Sequence, residues 1–510
     1  MAKRSQPAGS GTAIGICERH LEGIGVDNVL VLKPHSGPAG KNIVRDFLYG
    51  CWCNGRRIGG MQMPPLTELM VATNLRREGV GSIFLDGQME PHRYRELEAS
   101  KFAGIDIVAV MSSTQSFKAD VALFKHIKSA RPDIKTILYG SHPTFMPKFC
   151  LEEDSIDYIV IGEPEEGVRD LVGAISRGES TKDITGIGYR NGNGEAHITA
   201  KRAFAKMDDL AIPDRTLLPK DADYFNPVVK RVPYTTMLTS RGCPARCNYC
   251  TAPVFYGNKT RVRSPENVLE EMRQIKRLGY REIFFRDETF AAYKGRNYHI
   301  FEGMKKEGLE FSWIANARVD WIDRENMMAM KDAGCHMLKF GVETGSAEML
   351  KRYNKGTTLE QAEQAFRQAR EIGLDTHAHI IFGGPGETRE TIGMTMKFLK
   401  KIRPSTATFG ILTPYPGTEI FEMVAEKYPD IRDGSDSTME TLHVEGFYSD
   451  ALCEMTSEEL SAEIVRAYRE FYMQPAYIVD RLRGIQSLEE LTLKAIGGYS
   501  VLQFALTGQK

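Results

Sequence analysis

The stretch Thr236-Met-Leu-Thr-Ser-Arg-Gly-Cys243-Pro-Ala-Arg-Cys247-Asn-Tyr-Cys250 decides the fold of this chain. Its opening, TMLTS (236–240), is short, apolar and rich in Thr, which reads as a strand. Gly242 and Pro244 then open a loop carrying three cysteines within eight residues, and Cys243, Cys247 and Cys250 are the candidate metal ligands. Thiolates so spaced can converge on one inorganic centre. Four would close an iron–sulfur cluster, whereas three leave one iron free for an outside ligand. A reaction at the metal requires such an opening, as a catalytic zinc requires its open position. The competing reading is a structural zinc completed by a fourth ligand from elsewhere, but the nearby partner that a zinc ribbon supplies is missing.

Downstream, candidate strands recur at EIFFR (282–286), FSWIANA (311–317), HMLKFGV (336–342), THAHIIF (376–382) and TATFGIL (406–412), with helix patterns between them. In the first of these helices Ser264 can cap and Pro265 fits the first turn. Val268, Leu269, Met272, Ile275 and Leu278 make one apolar face before Gly279. Thr358 and Gln361 form a capping box for another. Six β/α units predict a partial barrel, whose chemistry belongs at the carboxyl ends of its strands. Those ends carry Asp287-Glu288-Thr289, Arg318, Glu343 and Gly383-Gly384-Pro385-Gly386-Glu387. Each carboxylate has a blander reading as a capping or ion-paired residue. His377 and His379 alternate on one strand, so both could face the interior, as satisfied core histidines or as proton-transfer groups.

Upstream, NVLVL (28–32), SIFL (82–85), IDIVAV (105–110), TILYG (136–140) and IDYIVIG (156–162) alternate with amphipathic helical stretches. This predicts a doubly wound parallel sheet of about five strands. Such sheets bind ligands beyond the carboxyl ends of their strands. Here those ends read Ser112-Ser113-Thr114, Gly140-Ser141-His142-Pro143 and Gly162-Glu163-Pro164-Glu165. ITGIGYR-NGNG-EAHIT follows as a small hairpin around Asn191–Gly194, then a Pro- and Asp-punctuated linker, LAIPDRTLLPKDADYFNP. The expected fold is therefore α/β: an extension (1–27), the five-stranded sheet domain (28–172), hairpin and linker (173–234), a partial (β/α)6 barrel (235–425) and a mostly helical C-terminal region (426–510).

CxxxCxxC after the first strand of a β/α barrel resembles the signature of the radical S-adenosylmethionine (SAM) superfamily. The resemblance implies a 4Fe–4S cluster whose free iron chelates the amino and carboxylate groups of SAM, and reductive cleavage to a 5′-deoxyadenosyl radical. Tyr249 matches the aromatic position near the adenine. Asp287 stands where the family places a polar group on the methionyl amine, and Glu343 where ribose or methionine is bound. Arg318, Gly383 and Gly384 are further SAM contacts on this reading. The upstream sheet looks like the cobalamin-binding domain of cobalamin-dependent radical SAM enzymes, and the resemblance covers residues 28–420 or so. It implies cobalamin contacts at Ser112, Ser113, Thr114, Gly140, Ser141, His142, Gly162 and Glu163, where small residues would let a flat corrin approach the backbone. Two departures stand out. The Asp-x-His-x-x-Gly motif that supplies a lower histidine is absent, the nearest text being Asp86-Gly87-Gln88, so cobalt is expected without a protein histidine. The last loop reads GEPE instead of GEGE, and Pro164 removes one N–H donor.

A formal net charge of −1 over 510 residues gives no basic excess for nucleic acid and no acidic tail. Nine cysteines are too sparse for a disulfide scaffold. MAKRSQPAGSGTAIG lacks the apolar core of a signal peptide, and no run of about 18 apolar residues occurs, so a cytoplasmic protein without a transmembrane segment is expected. Cys17, Cys150, Cys335 and Cys453 read as buried thiols, Cys51-Trp52-Cys53 with Arg56-Arg57 as a packed loop, and Met327, Met328, Met394 and Met396 as core. The C-terminal region, with Trp313 and Trp321 in the barrel, is expected to shape the pocket.

The leading functional reading is a cobalamin-dependent methyltransferase acting on an unactivated carbon, or a phosphinate phosphorus, of a small or lipid-like substrate. The resemblance also implies an external one-electron reductant of the flavodoxin or ferredoxin type. A cyclase or oxidoreductase resembling the anaerobic magnesium-protoporphyrin ester cyclase shares every motif. A methylthiotransferase would need a second cluster, for which only Cys17, Cys51 and Cys53 are at hand. A cobalamin sensor without activity is opposed by the intact cysteine triplet.

Overall fold

In the computed structural model, which describes residues 28–35, 58, 61–429, 431 and 448–508, seven strands make the first sheet. They are β1 (Val29–Lys33), β2 (Ser82–Asp86), β3 (Ile107–Ser112), β4 (Lys135–Gly140), β5 (Tyr158–Val160), β6 (Ile187–Arg190) and β7 (Ala196–Ile198), in the order β2-β1-β3-β4-β5-β6-β7. The five strands read from the sequence are parallel neighbours. Their apolar residues are continuous because both faces are covered. Leu30, Leu32, Val108, Val110 and Leu138 pack on one side with Phe124 and Ile127, while Val29, Val31, Ile107, Ala109 and Ile137 pack on the other with Leu69 and Leu75. The sheet is wider than expected. Hairpin β6–β7 adds antiparallel to β5, with Ile187 opposite Val160, and so covers an edge that a three-residue strand would leave open.

The linker is also pinned. Arg215 is buried and donates to the Thr235 hydroxyl at 2.9 Å, to the Thr236 carbonyl at 2.7 Å and to Glu271 at 2.5 Å.

The second sheet comprises β8 (Tyr234–Met237) and, after a short antiparallel pair β9 (Ser240–Arg241) and β10 (Arg261–Val262), the strands β11 (Glu282–Phe285), β12 (Ser312–Ala317), β13 (Cys335–Glu343), β14 (Asp375–Phe382) and β15 (Thr406–Ile411). The six run parallel in the order β15-β14-β13-β12-β11-β8. β8 and β15 do not pair, so the barrel is partial. Side chains alternate: Ile283, Phe285, Leu338, Phe340, Ala378 and Ile380 face the helices, while Met337, Lys339, His377 and His379 face inward. Trp313 belongs to the outward set. It packs on Phe285, Phe290 and Phe301 in the helix layer, and so does not shape the pocket as expected from sequence. The predicted helix runs Pro265–Arg277 with Ser264 accepting from the Asn267 amide, but Leu278 falls past its end and is exposed. Met327 and Met396 are core, whereas Met328 and Met394 lie on the solvent side of their helices.

Beyond the helix Glu419–Lys427 come three C-terminal helices, Ser457–Tyr472, Pro475–Arg483 and Leu488–Thr507. The first two hydrogen-bond along the unpaired edge of β15. Tyr472 Oη donates to the Ala407 carbonyl at 2.5 Å and accepts from its amide at 2.9 Å, and Tyr477 Oη donates to the Ser405 carbonyl at 2.8 Å. The third reaches the β8 side, where Glu489 accepts from the Val232 amide at 2.6 Å and Gly497 lies against Pro227. Together they cover the gap between the first and last barrel strands. Among the described residues no helix is long and apolar enough to cross a membrane.

Candidate active site

The cysteine loop is anchored at its base. The Asp287 carboxylate, just past β11, accepts from the Thr239 amide at 3.1 Å, from its hydroxyl at 2.8 Å and from the Ser240 hydroxyl. Burial raises its pKa. Asp287 therefore holds the loop through three hydrogen bonds, a role the sequence did not disclose. The carboxylate of neighbouring Glu288 is the available one: both its oxygens are buried without a partner, and burial pushes it up to about 8. Gly242 sits at φ +92° with its α-carbon against the Lys259 carbonyl, a position only glycine fills without strain.

Cys243, Cys247 and Cys250 are all half-buried, and Cys250 turns back to donate its amide to the Cys247 carbonyl at 3.2 Å. Burial pushes the Cys243 thiol up to about 11 and Cys250 higher still, with Cys247 adding to both. Thiols so placed become thiolates on binding a cation. Among the described residues no three Cys, His, Asp or Glu side chains stand ready for a single metal ion. A cluster distributes its three thiolates over three irons and does not need that closer grouping, so the donor set fits a 4Fe–4S cluster.

Around the loop the barrel supplies a connected polar network. Arg318 Nη1 lies 3.8 Å from Cys247 Sγ, and Nη2 donates to the Lys355 carbonyl at 2.9 Å. Lys355 Nζ is 2.6 Å from Glu343 Oε1 and 3.2 Å from the Tyr249 hydroxyl. Glu343 has φ +66°, rare for a residue with a side chain, and the β13–β14 register shifts between Gly341 and Glu343. Its Oε2 is buried and unpartnered. Tyr249 meets Tyr353 edge-on at 5.4 Å, and Tyr353 in turn fills the space that a Cβ on Gly384 would occupy. Gly383 holds φ +80°. The structure thus gathers Tyr249, Arg318 and Glu343 beside the cysteines, with Gly383 and Gly384 one ring away. Lys355 and Tyr353 were missed. They sit on a helix end and loop after β13, and nothing in the local sequence distinguishes them.

Across from this network lie the carboxyl ends of β3, β4 and β5. Gly140, at φ +114°, brings its α-carbon against the Ser112 carbonyl. Thr114 Oγ1 and His142 Nδ1 are 3.2 Å apart, and the buried His142 ring packs on Phe117 at 4.3 Å. The Ser113 amide donates to Ser116 Oγ at 2.9 Å and so is already engaged within the loop. Ser141 opens the helix Ser141–Phe145, whose Thr144 hydroxyl donates to the Gly140 carbonyl at 2.6 Å and accepts from the Gly162 amide at 3.0 Å. A Cβ on Gly162 would meet nothing, and the Ser112 hydroxyl is buried without a partner. Small residues, an open approach and an unpartnered hydroxyl fit a corrin laid on this edge. Glu163 stands apart from the other candidates, because its carboxylate turns to Arg261 and Arg241 of the barrel. Asp86, nearest to the missing histidine motif, is occupied by Lys33 at 2.8 Å and by the Tyr224 hydroxyl at 3.0 Å.

The two halves are joined at these ends. Arg241, two residues before Cys243 and 1% exposed, pairs with Glu165, and its Nη1 is 3.2 Å from Glu163. His377 Nδ1 and Nε2 lie 2.7 and 3.2 Å from the Thr406 and Thr408 hydroxyls, and His379 Nδ1 lies 2.9 Å from Thr408. Both are thus interior but engaged on threonines. Cys150, Cys335 and Cys453 are buried, as expected. Cys17, Cys51, Trp52, Cys53, Arg56 and Arg57 lie outside the described residues.

The model of the radical SAM superfamily matches residues 237–399, and that of the B12 binding domain matches residues 59–172. An uncharacterized methyltransferase of Pyrococcus horikoshii is 32% identical over 83% of this chain and 91% of its own length. The anaerobic magnesium-protoporphyrin IX monomethyl ester cyclase of Rubrivivax gelatinosus is 29% identical over 83% of this chain and 76% of its own. The solved structure of the radical SAM methyltransferase TsrM from Kitasatospora setae, with cobalamin and a 4Fe–4S cluster bound, superposes with a TM-score of 0.67 over 94% of this chain and 98% of that one; at 17% identity the likeness is one of fold.

Proposed function

This chain belongs to the radical SAM superfamily, in the group that also carries a B12-binding domain, and from that premise we propose that it is a methyltransferase acting on an unactivated carbon. One observation carries the reading. The carboxyl ends of the two sheets face each other across Arg241, which ties the start of the cysteine loop to Glu163 and Glu165 at the end of β5. Two cofactors must act on one substrate, and this arrangement would bring both to it.

On this reading Cys243, Cys247 and Cys250 hold the cluster and leave one iron to SAM. Lys355 orients Tyr249 and Glu343 around the adenosine and methionine parts, and Glu288, whose carboxylate has no partner, is free to meet the SAM amine. Gly140, Gly162 and Ser112 receive the corrin. When bound, SAM supplies the hydrogen-abstracting radical and methylcobalamin supplies the methyl group. The electron comes from an external reductant of the flavodoxin or ferredoxin type, which suits a cytoplasmic setting.

The test is a product ratio. With methyl-labelled SAM and the true substrate, label should enter product, and 5′-deoxyadenosine and S-adenosylhomocysteine should form in nearly equal amounts. A cyclase would give 5′-deoxyadenosine without matching S-adenosylhomocysteine, and that outcome would overturn the methyltransferase reading.

A further inference from the structure

A cavity of about 560 Å³ extends along the inner face of β13, β14 and β15 and out beneath the C-terminal helices. Its volume lies in the range that encloses most of a medium-sized ligand. One end reaches Tyr249 of the cysteine loop and Thr413 beyond β15. The other lies at the amino ends of the strands, among Lys230, Asp375, Arg481 and Lys494. The cavity therefore runs from the cysteine loop to the amino ends of the strands, beneath the helices that cover the gap between β8 and β15.

Its wall between those ends offers few groups to a polar ligand. The inward histidines have ring nitrogens bound to Thr406 and Thr408. Burial and the nearby Lys339 hold the His377 imidazole well below its ordinary pKa, so it carries no charge. A polar ligand drawn into this mostly apolar chamber would give up its hydrogen bonds to water for few in return, which disfavours it. A hydrocarbon would gain by the same transfer. Apart from the buried Lys339 beside His377, charge lies at the outer rim, where Arg481 lies 3.2 Å from Asp375, and Lys494 lies 2.6 Å from Glu490.

The outer face of the covering helices has the same character. Ten of the seventeen large apolar side chains exposed among the described residues lie between Met473 and Leu506. Ile478, Leu482 and Leu491 both line the cavity and stand 46%, 58% and 39% exposed. Apolar surface continuous from a chamber to its mouth marks an entry for an apolar ligand rather than scattered surface residues.

We propose that the substrate is an amphiphilic lipid, whose hydrocarbon chain enters between helices Pro475–Arg483 and Leu488–Thr507 and extends to Tyr249, while its polar head stays at the rim with Lys230, Arg481 and Lys494. This deepens the methyltransferase reading and rests on it only for what is done to the chain once it arrives. The probe is a long-chain polyene fatty acid whose fluorescence rises in apolar surroundings, titrated into the full-length, cluster-loaded protein. Ala495→Trp and Gly498→Phe intrude on the cavity from exposed positions of the last helix, and Thr492→Trp on the same helix lies off the cavity. Wild type and Thr492→Trp should bind saturably and alike, and the two intruding variants should bind at least about tenfold more weakly. Absence of saturable binding in wild type, equal binding in all four proteins, or displacement of the probe by a free nucleoside or amino acid would overturn the proposal. Formation of 5′-deoxyadenosine from SAM and reductant, without substrate, is measured on the same samples. Its loss in wild type would refute the enzyme reading while leaving the lipid chamber standing, so the two failures are told apart.

Discussion

Lys355 Nζ stands 2.6 Å from Glu343 Oε1, and the pair is buried within reach of the Tyr249 hydroxyl. Its geometry is bought with backbone strain, since a left-handed conformation at a residue such as Glu343 costs about 1–3 kcal/mol. Space for it comes from Gly341, whose missing Cβ would sit against the Glu343 carboxylate and 2.8 Å from Lys355 Nζ. Strain retained where the surrounding structure over-determines it points to function.

Lys355→Met should therefore do two things. It leaves the Glu343 carboxylate buried and uncompensated, which costs about 3–5 kcal/mol and is read as a lower midpoint in denaturant. It also frees Tyr249, and SAM binding measured calorimetrically on the cluster-loaded protein should weaken. Gly341→Ala displaces the pair while keeping both charges, so it should weaken SAM binding at a smaller cost in stability. Unchanged SAM affinity in both variants would make the pair purely structural.

The cysteine assignment has a direct consequence. Anaerobically reconstituted protein should hold about four irons and four sulfides, and replacing Cys243, Cys247 and Cys250 together by Ala should abolish them. Cys247→Ala alone should end 5′-deoxyadenosine formation yet leave cobalamin binding intact, because the corrin edge is built from β3, β4 and β5. A full iron count in the triple variant would show that other residues are the ligands.

Strands and cysteine loop were legible because both are local signals. TMLTS leads straight into CxxxCxxC, and each buried strand writes its own apolar run. What was not legible is pairing at a distance. Glu343 reads from sequence as a strand end, functional or ion-paired, but its partner lies twelve residues on, past a helix, and only folding brings Lys355 back. Asp287 and Glu288 are adjacent in sequence and alternate in direction, so the occupied carboxylate could not be told from the free one. Hairpin β6–β7 carried a clear turn at Asn191–Gly194 but no mark of the sheet it would join. Glu163 and Glu165 looked like a ligand loop, and their bonds to Arg241 cross 76 or more positions.

Stability in acid should report on Glu271. Burial alone would raise its carboxyl, but Arg263 and Arg215 outweigh burial and hold it below the usual carboxylate range. A group depressed in the folded state contributes stability above its unfolded pKa, about 4.3, and loses it as pH falls through the folded value. Glu271→Gln should cost about 3 kcal/mol at neutral pH and flatten the decline in stability below about pH 4.5. An equally steep acid limb in the variant would mean that another carboxylate governs it.

Cobalt should lack a protein imidazole. Asp86 of Asp86-Gly87-Gln88 is closed off by Lys33 and Tyr224, and His142 is held by Thr114 beneath Phe117. Electron paramagnetic resonance of the cob(II)alamin-loaded protein should show no nitrogen superhyperfine splitting from a lower ligand. Clear splitting that disappears in His142→Ala would reverse this assignment.

Arg241 gives the sharpest test of how the two halves work together. It is buried, pairs with Glu165, and lies 3.2 Å from Glu163, while Arg261 also binds Glu163. Removing a partner from such a cluster leaves a buried charge and loosens the register between the corrin edge and the cysteine loop. Loss of position by about 1 Å can cost on the order of a hundredfold in rate when two reacting groups must meet. SAM cleavage needs only the cluster side, whereas methyl transfer needs both. Glu165→Gln, which lies on the sheet side and away from the cysteines, should therefore keep its iron content and its substrate-free 5′-deoxyadenosine formation. Methylated product and S-adenosylhomocysteine should fall on the order of a hundredfold. Arg241→Met should behave alike but with some loss of iron, since it opens the loop itself. If Glu165→Gln lost both activities in parallel, the ion pair would be serving the fold as a whole. If it lost neither, contacts such as Gly417 against Phe145 would be enough to hold the two ends in register.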